Sequence, residues 1–231
     1  MTDPASLEDW RPPARPDRVP MAGRFCRLEP LAAARHADAL HAANSLDAAG
    51  RMWDYMAYGP FADRDTYSAW VENVERSSDP LFYAIVDVPS GAPRGVASYL
   101  RIDPPNGVIE VGHLAYSPLL QRTPAATEAM YLMMRHAFDL GYRRYEWKCN
   151  AQNAKSRAAA ERLGFTFEGV FRQHMVVKGR NRDTAWFAVL DTEWPRIRRG
   201  FERWLDPGNF DAAGRQRRTL LDWRNDREDE A

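Results

Sequence analysis

Two strand-like segments joined through one long helix-like segment constrain the fold more than any other feature of this chain. The strands are GVIEVGHLAY (107–116) and RYEWKCN (144–150), and a helix is predicted between them over about 124–140. Pro124 suits a first helical position, and Gly141 is the kind of residue that commonly ends a helix. Because two strands that flank a helix run parallel through a right-handed crossover, the sequence predicts a parallel strand pair.

The other segments extend this unit to the order β-α-α-β-β-β-α-β-α-β-β. The connection DPPNG is short and turn-rich, so the strands on either side of it are expected to form a hairpin. The further strands are predicted near 25–28 and over 81–88, 95–102, 165–171 and 183–190, and the further helices over 31–48, 65–76 and 153–163. The expected fold class is therefore α/β (α+β), with a mixed sheet.

The composition excludes several classes of protein. Lys and Arg together total 32, as do Asp and Glu, so the chain has no net charge with which to hold a polyanion such as nucleic acid. No run of 18 apolar residues is present, and the polar, proline-broken start lacks the apolar segment of a secretory signal. Cys26 and Cys149 have no partners at metal-ligand spacing and form no disulfide framework. A protein of the reducing cytoplasm, bound to neither nucleic acid nor membrane, is expected.

The two ends of the chain differ from its middle. Residues 1–22 hold five prolines among charges and predict a flexible, extended arm. Residues 23–194 form the predicted main domain, and 195–231 form an amphipathic helix followed by a polar tail. One apolar face of that helix comprises Trp194, Ile197, Phe201 and Trp204. This face is expected to lie on the main core or to form part of a dimer contact, so a homodimer is left open.

The segment YSPLLQRTPAATEAM (116–130) predicts a binding site for an anion. A strand ends there, a short loop follows, and a helix begins with its free N–H groups and the positive end of its dipole. The small side chains of Ala125 and Ala126 would let a phosphate approach this backbone closely. The alternative is an ordinary βα turn capped by Thr123.

A second segment, CNAQNAKSRAAAERLGF (149–165), places polar side chains at the start of the next helix. Asn150, Asn153 and Ser156 lie at a strand end and in a first helical turn, where Asn153 and Ser156 can face one cleft. Helix capping alone is the alternative explanation, because Asn and Ser are favoured cap residues.

Together the two segments resemble the GCN5-related N-acetyltransferases (GNAT), and within them the branch that includes ribosomal-protein N-terminal acetyltransferases. The resemblance covers about residues 24–194. The family's loop pattern, Gln/Arg-x-x-Gly-x-Gly/Ala, is opened here by Gln121 and closed by Ala126, and Leu163-Gly164-Phe165 matches the end of the second segment. The resemblance implies a mostly antiparallel twisted sheet with a central parallel pair and helices on both faces. It also implies acetyl-CoA as co-substrate, no metal, and direct transfer to a primary amine of a protein N-terminus or a small molecule.

Two positions depart from the family pattern. Pro124 stands at the loop's central glycine and removes one backbone donor. The expected pyrophosphate cradle therefore consists of the amides of Arg122, Thr123, Ala125 and Ala126. Ala160 stands where many relatives have a tyrosine that protonates the leaving thiolate, so Ser156, Asn153 through a water, or solvent are the candidates for this role. These departures motivate an alternative function, a non-catalytic acyl-CoA-binding module.

The resemblance further implies that strand 107–116 lines the acetyl group. Backbone groups around Leu114, Ala115 and Tyr116 would contact the pantetheine arm. The base that deprotonates the acceptor ammonium is expected on the same strand. Glu110 and His113 are the two candidates, and they point to opposite faces unless a bulge intervenes.

An aromatic segment between the first two predicted helices is the candidate acceptor-binding site. Its residues are Trp53, Tyr55, Tyr58 and Phe61, with acidic side chains among them. Aromatic rings with nearby carboxylates can attract an ammonium group. The alternative is that these rings only cover the edge of the sheet. The polar segment KGRNRD (178–183), expected to be a loop, is the candidate for the opposite wall.

Overall fold

The computed structural model describes Leu7 and residues 9–226, which form one mixed sheet with helices on both faces. The strands are β1 (Met21–Ala22), β2 (Cys26–Pro30), β3 (Leu81–Asp87), β4 (Pro93–Asp103), β5 (Val108–Tyr116), β6 (Arg144–Asn150), β7 (Thr166–Val177) and β8 (Arg180–Leu190). The helices are α1 (Ala33–Asn44), α2 (Arg64–Val74), α3 (Pro124–Asp139), α4 (Ala154–Leu163), α5 (Trp194–Leu205) and α6 (Leu220–Arg224). The predicted fold class is confirmed.

The sheet has the strand order β1-β2-β3-β4-β5-β6-β8-β7. All neighbouring strands are antiparallel except β5 and β6, which run parallel from Val108 beside Arg144 to Val111 beside Trp147. The predicted parallel pair and the hairpin of β4 and β5 are therefore both confirmed. The parallel pair lies near the middle of the sheet because α3 carries the chain from the end of β5 to the start of β6.

Local capping fixes where the helices around this pair begin and end. The Thr123 hydroxyl oxygen accepts a hydrogen bond from the Ala126 N–H, and Pro124 is the first residue of α3. Asp63 caps α2 by accepting a hydrogen bond from the Thr66 N–H. Gly164 ends α4 at a φ of 106°, a left-handed conformation that favours glycine.

Apolar side chains form a separate core on each face of the sheet. Residues of β3 show the division, since Tyr83 and Ile85 join the core beneath α3 while Phe82 and Ala84 join the core beneath α1 and α2. The predicted apolar face of the C-terminal helix is buried in the α3 core through Trp194, Ile197, Phe201 and Trp204. On the α1–α2 side, the helices pack over β2 to β4.

The described part of the predicted arm is extended and lies against the domain. Arg15 donates to the Ile102 carbonyl oxygen at 3.0 Å, and the Tyr83 hydroxyl donates to the Asp17 carbonyl oxygen at 2.9 Å. Pro13 and Pro16 are buried. Residues 1–6 and 8 of the arm, and 227–231 of the polar tail, lie outside the described residues, and the division at residues 22 and 194 stays a prediction.

The segment 178–183 differs from the predicted loop. Only Lys178 and Gly179 form the turn, and β7 and β8 continue to Val177 and from Arg180 on either side of it. Both turn residues have positive φ, 48° and 72°, as a two-residue hairpin turn requires. The polar composition was misleading because this end of the hairpin is exposed on both faces and needs no apolar residues.

A buried carboxylate joins α3 to the start of the sheet. Glu128 is 4% exposed, and its carboxylate accepts the backbone N–H groups of Arg24, Phe25 and Cys26 at 2.8, 2.6 and 2.8 Å. A Cβ at Gly23 would collide with this carboxylate, so the approach requires glycine there. Burial, and secondarily the Glu128 charge, raise the pKa of the Cys26 thiol.

We expect Glu128→Gln to lower the free energy of unfolding by about 3 kcal/mol or more, because a neutral amide has one acceptor oxygen for three buried donors. Urea unfolding measures the change. Glu161→Gln is the matched control, since Glu161 is exposed on α4, and a surface change there costs within about 0.5 kcal/mol. Equal stability of the two variants would contradict this role of Glu128.

Candidate active site

The parallel strands β5 and β6 separate at one end and leave a gap in the sheet. Their pairing stops at Val111 and Trp147, whereas β5 stays paired with β4 as far as Tyr116 and β6 stays paired with β8 as far as Asn150. Helices α3 and α4 begin a few residues after these two strand ends. The two segments that predicted a site therefore both lead away from this gap.

The start of α3 presents backbone N–H groups without an acceptor. Within the described chain, the amides of Arg122 and Ala125 have no hydrogen-bond partner. The Thr123 N–H donates to the Leu120 carbonyl oxygen at 3.3 Å, and the Ala126 N–H donates to the Thr123 hydroxyl at 3.2 Å. Two of the four amides predicted to form the cradle are thus free.

The side chains at the start of α3 also suit an anion. Ala125 and Ala126 put no bulk over the free N–H groups, and the Arg162 guanidinium donates to the Thr127 hydroxyl at 2.6 Å. The Gln121 side chain donates to the Tyr116 carbonyl oxygen at 2.8 Å, which holds the loop closed between β5 and α3. The free amides, the helix dipole and a neighbouring guanidinium fit the diphosphate of a CoA molecule.

The start of α4 is held by its predicted polar residues. The Asn153 side-chain oxygen caps the helix by accepting the Ser156 N–H at 3.1 Å, and the Asn150 side-chain oxygen accepts the Gln152 N–H at 2.9 Å. The Trp147 indole N–H donates to the Ser156 hydroxyl oxygen at 3.0 Å, so that hydroxyl keeps its own proton to donate. Ala160 is fully buried in the core and offers no hydroxyl.

We expect Asn153→Ala to lower the free energy of unfolding by about 1 kcal/mol through loss of the cap, and to weaken acetyl-CoA binding modestly. Urea unfolding and calorimetry measure the two effects. Asn106→Ala is the control, because Asn106 lies in the exposed turn between β4 and β5. If Asn153→Ala matched this control in stability and affinity, α4 would not depend on the cap.

Glu110, the first candidate base, faces away from α3. Its neighbours Ile109 and Val111 lie in the α3 core, so the Glu110 side chain projects from the opposite face of the sheet. It is 4% exposed, and its carboxylate lies 2.7 Å from Arg101 Nη1 and 3.1 Å from Lys148 Nζ. Glu110 is therefore a buried carboxylate with two cationic partners, not a solvated side chain on an outer face.

His113, the second candidate base, lies on the same face because of a bulge. The pairing of β4 with β5 is irregular between Val96 and Ser98, and His113 has a φ of 52°. Its ring stacks on Tyr58, with centroids 5.6 Å apart, and Nδ1 lies 3.3 Å from the Tyr58 hydroxyl. Burial, and then the nearby Arg101 charge, lower the pKa of His113 to about 4, so the imidazole is neutral at pH 7.

The predicted aromatic segment packs over the α1–α2 core and reaches the gap. Trp53 is buried there, and Tyr58 joins Phe61 and Trp70 in one group of contacting rings. Tyr55 is more exposed, and its hydroxyl donates to the Gln152 carbonyl oxygen at 3.3 Å, which connects this segment to the loop before α4. Part of the segment covers the sheet, as the alternative held, and Tyr58 also contacts the candidate base His113.

Sequence reasoning missed the charged residues that surround Glu110. Lys148 is buried between the carboxylates of Glu110 and Glu146, 3.1 and 2.6 Å away, and its Nζ lies 3.7 Å from the centre of the Trp186 ring. The rarity of lysine was the one available signal, since only three of the 32 basic residues are lysines. Two of the three, Lys148 and Lys178, lie at the candidate site, since Lys178 donates to the carbonyl oxygen of Trp53 in the aromatic segment at 3.0 Å.

Two properties of the described residues bear on ligands and location. Among Leu7 and 9–226, no group of three or more His, Cys, Asp or Glu side chains is placed to hold a metal ion. No helix in that part of the chain has the length and apolar character needed to cross a membrane.

Comparison with known proteins supplies the family. A model of the acetyltransferase (GNAT) domain matches residues 26–166. The crystal structure of a GCN5-related N-acetyltransferase from Brucella melitensis is 52% identical, with a TM-score of 0.92, and the alignment covers 94% of this chain and 99% of that one. A probable acetyltransferase of the GNAT family from Chromobacterium violaceum is 41% identical, with a TM-score of 0.78 over 84% and 98% of the chains.

A third structure shares the fold at lower identity. The microcin C7 self-immunity acetyltransferase MccE, solved in complex with acetyl-CoA and AMP, is 22% identical, with a TM-score of 0.64 over 73% of this chain and 93% of that one. No curated protein matched this chain significantly. The closer likeness to ribosomal-protein N-terminal acetyltransferases stays a prediction.

Proposed function

This chain belongs to the GNAT acetyltransferases, and from that membership we propose that it transfers the acetyl group of acetyl-CoA to a primary amine by direct attack in a ternary complex. The family makes it an enzyme that uses acetyl-CoA, so the non-catalytic alternative is not adopted. The observation that supports the proposal most is the gap between β5 and β6, with free amides on one side of it and Glu110 on the other face of the sheet.

Acetyl-CoA supplies an activated acetyl group as a thioester. Its diphosphate would be held by the free N–H groups of Arg122 and Ala125, with the adjacent Arg162 guanidinium adding positive charge. Its pantetheine arm would run along the end of β5 that is not paired with β6, past Leu114 and Tyr116, towards the gap. The start of α4, capped by Asn153, would form the other side of this channel.

The amine must lose a proton before it can attack, since only the neutral form has a free lone pair. Glu110 lies on the face that the acceptor would approach and accepts that proton, in contact or through a water. As the C–N bond forms and the C–S bond breaks, the thiolate leaves and takes up a proton. His113 is the second candidate base, and burial lowers its pKa to about 4, below the ordinary value for a histidine.

The leaving thiolate is protonated by Ser156 or by solvent. The Ser156 hydroxyl is fixed by the Trp147 indole and keeps a proton to donate. A free thiol has a pKa of about 8.5, so protonation by water is not prohibitive either. The acceptor itself would be held by the aromatic segment of Trp53, Tyr55, Tyr58 and Phe61, whose rings form an apolar wall beside His113.

Release of free CoA thiol in the presence of an amine tests the proposal. The panel comprises peptides with free N-termini, polyamines, amino acids and aminoglycosides, each with acetyl-CoA and the purified protein. Steady release that depends on both substrates supports transfer in a ternary complex. Absence of turnover across the whole panel, or an acetylated protein intermediate in its mass spectrum, would contradict it.

The compartment and the assembly complete the proposal. A reducing cytoplasm fits Cys26 and Cys149, which are both buried free thiols. The apolar face of α5 is already covered by the α3 core, so a homodimer would have to use another surface.

A further inference from the structure

Two buried N–H donors on β8 have no acceptor in the described part of the chain. They are Nε of Arg182 and Nε1 of Trp186, and the Arg182 guanidinium takes part in no hydrogen bond or ion pair there. Residues two apart on a strand share a face, so both side chains project from the same face as Thr184. Because buried donors are almost always paired in folded proteins, each of these two donors indicates an acceptor group that the chain itself does not supply.

The two donors lie beside the candidate base. Trp186 is paired in register with Lys148, whose Nζ lies 3.7 Å from the Trp186 ring centre and 3.1 Å from the Glu110 carboxylate. Burial lowers the pKa of Arg182, and the charge of nearby Glu110 is one of the influences that oppose this shift. Arg182 and Trp186 therefore face the region where the acceptor amine would meet Glu110.

The network of charged side chains that includes Glu110 and Arg182 has one more cation than carboxylates. The cations are Arg101, Arg144, Lys148 and Arg182, and the carboxylates are Glu110, Glu146 and Glu168. Every carboxylate in this group is already paired with an arginine or the lysine, which leaves Arg182 as the unpaired charge. A ligand with only an ammonium group would meet excess positive charge, whereas a ligand that also has an acidic group would neutralise it.

We propose that Arg182 and Trp186 form a subsite for an anionic oxygen group, a carboxylate or phosphate, on the acceptor molecule itself. The inference rests on the proposed function and narrows its substrate class to amines that also have an acidic group. A guanidinium binds carboxylate or phosphate oxygens through two parallel N–H donors, and the indole N–H adds a third. The Phe171 ring, 53% exposed and 4.5 Å from the Trp186 ring, and the His174 ring offer an adjoining surface for the rest of the molecule.

Matched pairs of amines test the preference. Phenylalanine is compared with phenylalaninamide, and O-phosphoserinamide with serinamide, so that each pair differs by one acidic group. In at least one of the two pairs, we expect kcat/KM to be at least tenfold higher for the amine that has the acidic group than for its neutral partner. An amide lowers the pKa of the adjacent amine and favours its neutral form, so the phenylalanine pair is biased against the expected result.

Arg182→Gln should abolish this preference, because it should lower kcat/KM for the acid-bearing amines more than for their neutral partners. Arg180→Gln is the control, since Arg180 lies on the same strand two residues away, is exposed and has no side-chain partner among the described residues. A preference that survives in Arg182→Gln, or that is absent from the wild type while the neutral amines are acetylated, would overturn the subsite.

A readout without catalysis separates the subsite from the proposed function. The indole N–H resonance of Trp186, assigned with Trp186→Phe, is followed by NMR during titration with acetate and with inorganic phosphate. The resonance should shift in the wild type and in Arg180→Gln but not in Arg182→Gln, and the two titrations show which anion is preferred. No shift with either anion would overturn the subsite, even if amines are acetylated. A shift without acetylation of any amine would leave the subsite in place and count against the proposed function alone.

Discussion

Glu110→Gln lowers kcat/KM for amine acetylation by about 10²–10⁴-fold at neutral pH, the usual range for loss of a general base. The glutamine keeps the shape of the side chain but cannot accept the ammonium proton. Acetyl-CoA affinity changes little, because Glu110 projects from the face opposite α3 while the predicted phosphate site is at the start of α3. Steady-state kinetics and calorimetry on the purified variant measure the two quantities.

Glu146→Gln is the matched control for this prediction. Glu146 is also buried, and its carboxylate also contacts Lys148, at 2.6 Å, so its replacement removes the same charge from the same lysine. If Glu110 only balanced the buried charges, the two variants would be impaired equally. If Glu110 is the base, only Glu110→Gln loses the large factor.

The pH dependence of the Glu110→Gln defect identifies the kind of amine. As the pH rises towards the pKa of the acceptor, more amine arrives neutral and needs no base, so the defect shrinks. Recovery near pH 8 indicates an α-amine, and recovery near pH 10 a lysine-like amine, from their ordinary pKa values of about 8 and about 10. A Glu110→Gln enzyme with the wild-type rate at pH 7 would rule out this base and transfer the role to His113 or to water.

Ala126→Glu is expected to weaken CoA binding by at least 100-fold and to leave the fold intact. Ala126 lies in the first turn of α3, beside the free N–H groups of Arg122 and Ala125. The introduced carboxylate would occupy the position of the phosphate and repel it. The same carboxylate is favourable to the helix itself, because negative charge stabilises a helix N-terminus.

Ala39→Glu is the control for this substitution, since Ala39 is an exposed position of α1 and the change of charge is the same. Calorimetry with CoA measures the affinity of both variants, and urea unfolding verifies that both are folded. Unchanged CoA affinity in a folded Ala126→Glu protein would refute the assignment of the phosphate site.

Most of the architecture was predictable because its signals are local. Pro124 begins α3 and Gly141 lies just beyond its end, so both boundaries of this helix are marked in the sequence itself. The parallel pair follows from the position of that helix between two strands. The turn at Lys178–Gly179 was not predicted, because an exposed hairpin can be polar throughout and then has no alternating pattern. The short strand Met21–Ala22 was also missed, since two residues are too few for any periodicity.

The candidate site was predictable only in part, because some of its geometry depends on strand pairing. Glu110 and His113 were identified from one strand, but the bulge that turns both to one face comes from the irregular register with β4. Arg101, Lys148 and Arg182 lie on β4, β6 and β8, which only the folded sheet brings together around Glu110. Nothing in their separate sequence contexts indicated that they share a site.

The most direct test of the account is mass spectrometry of a cell extract incubated with the protein and isotope-labelled acetyl-CoA. The account predicts that the labelled acetyl group appears on the nitrogen of an amine, with free CoA released in equal amount. Ala126→Glu should abolish the labelling, and Glu110→Gln should slow it at pH 7. Labelling that is identical in all three proteins, or that appears only on hydroxyl groups, would contradict an amine acetyltransferase with its site at the gap between β5 and β6.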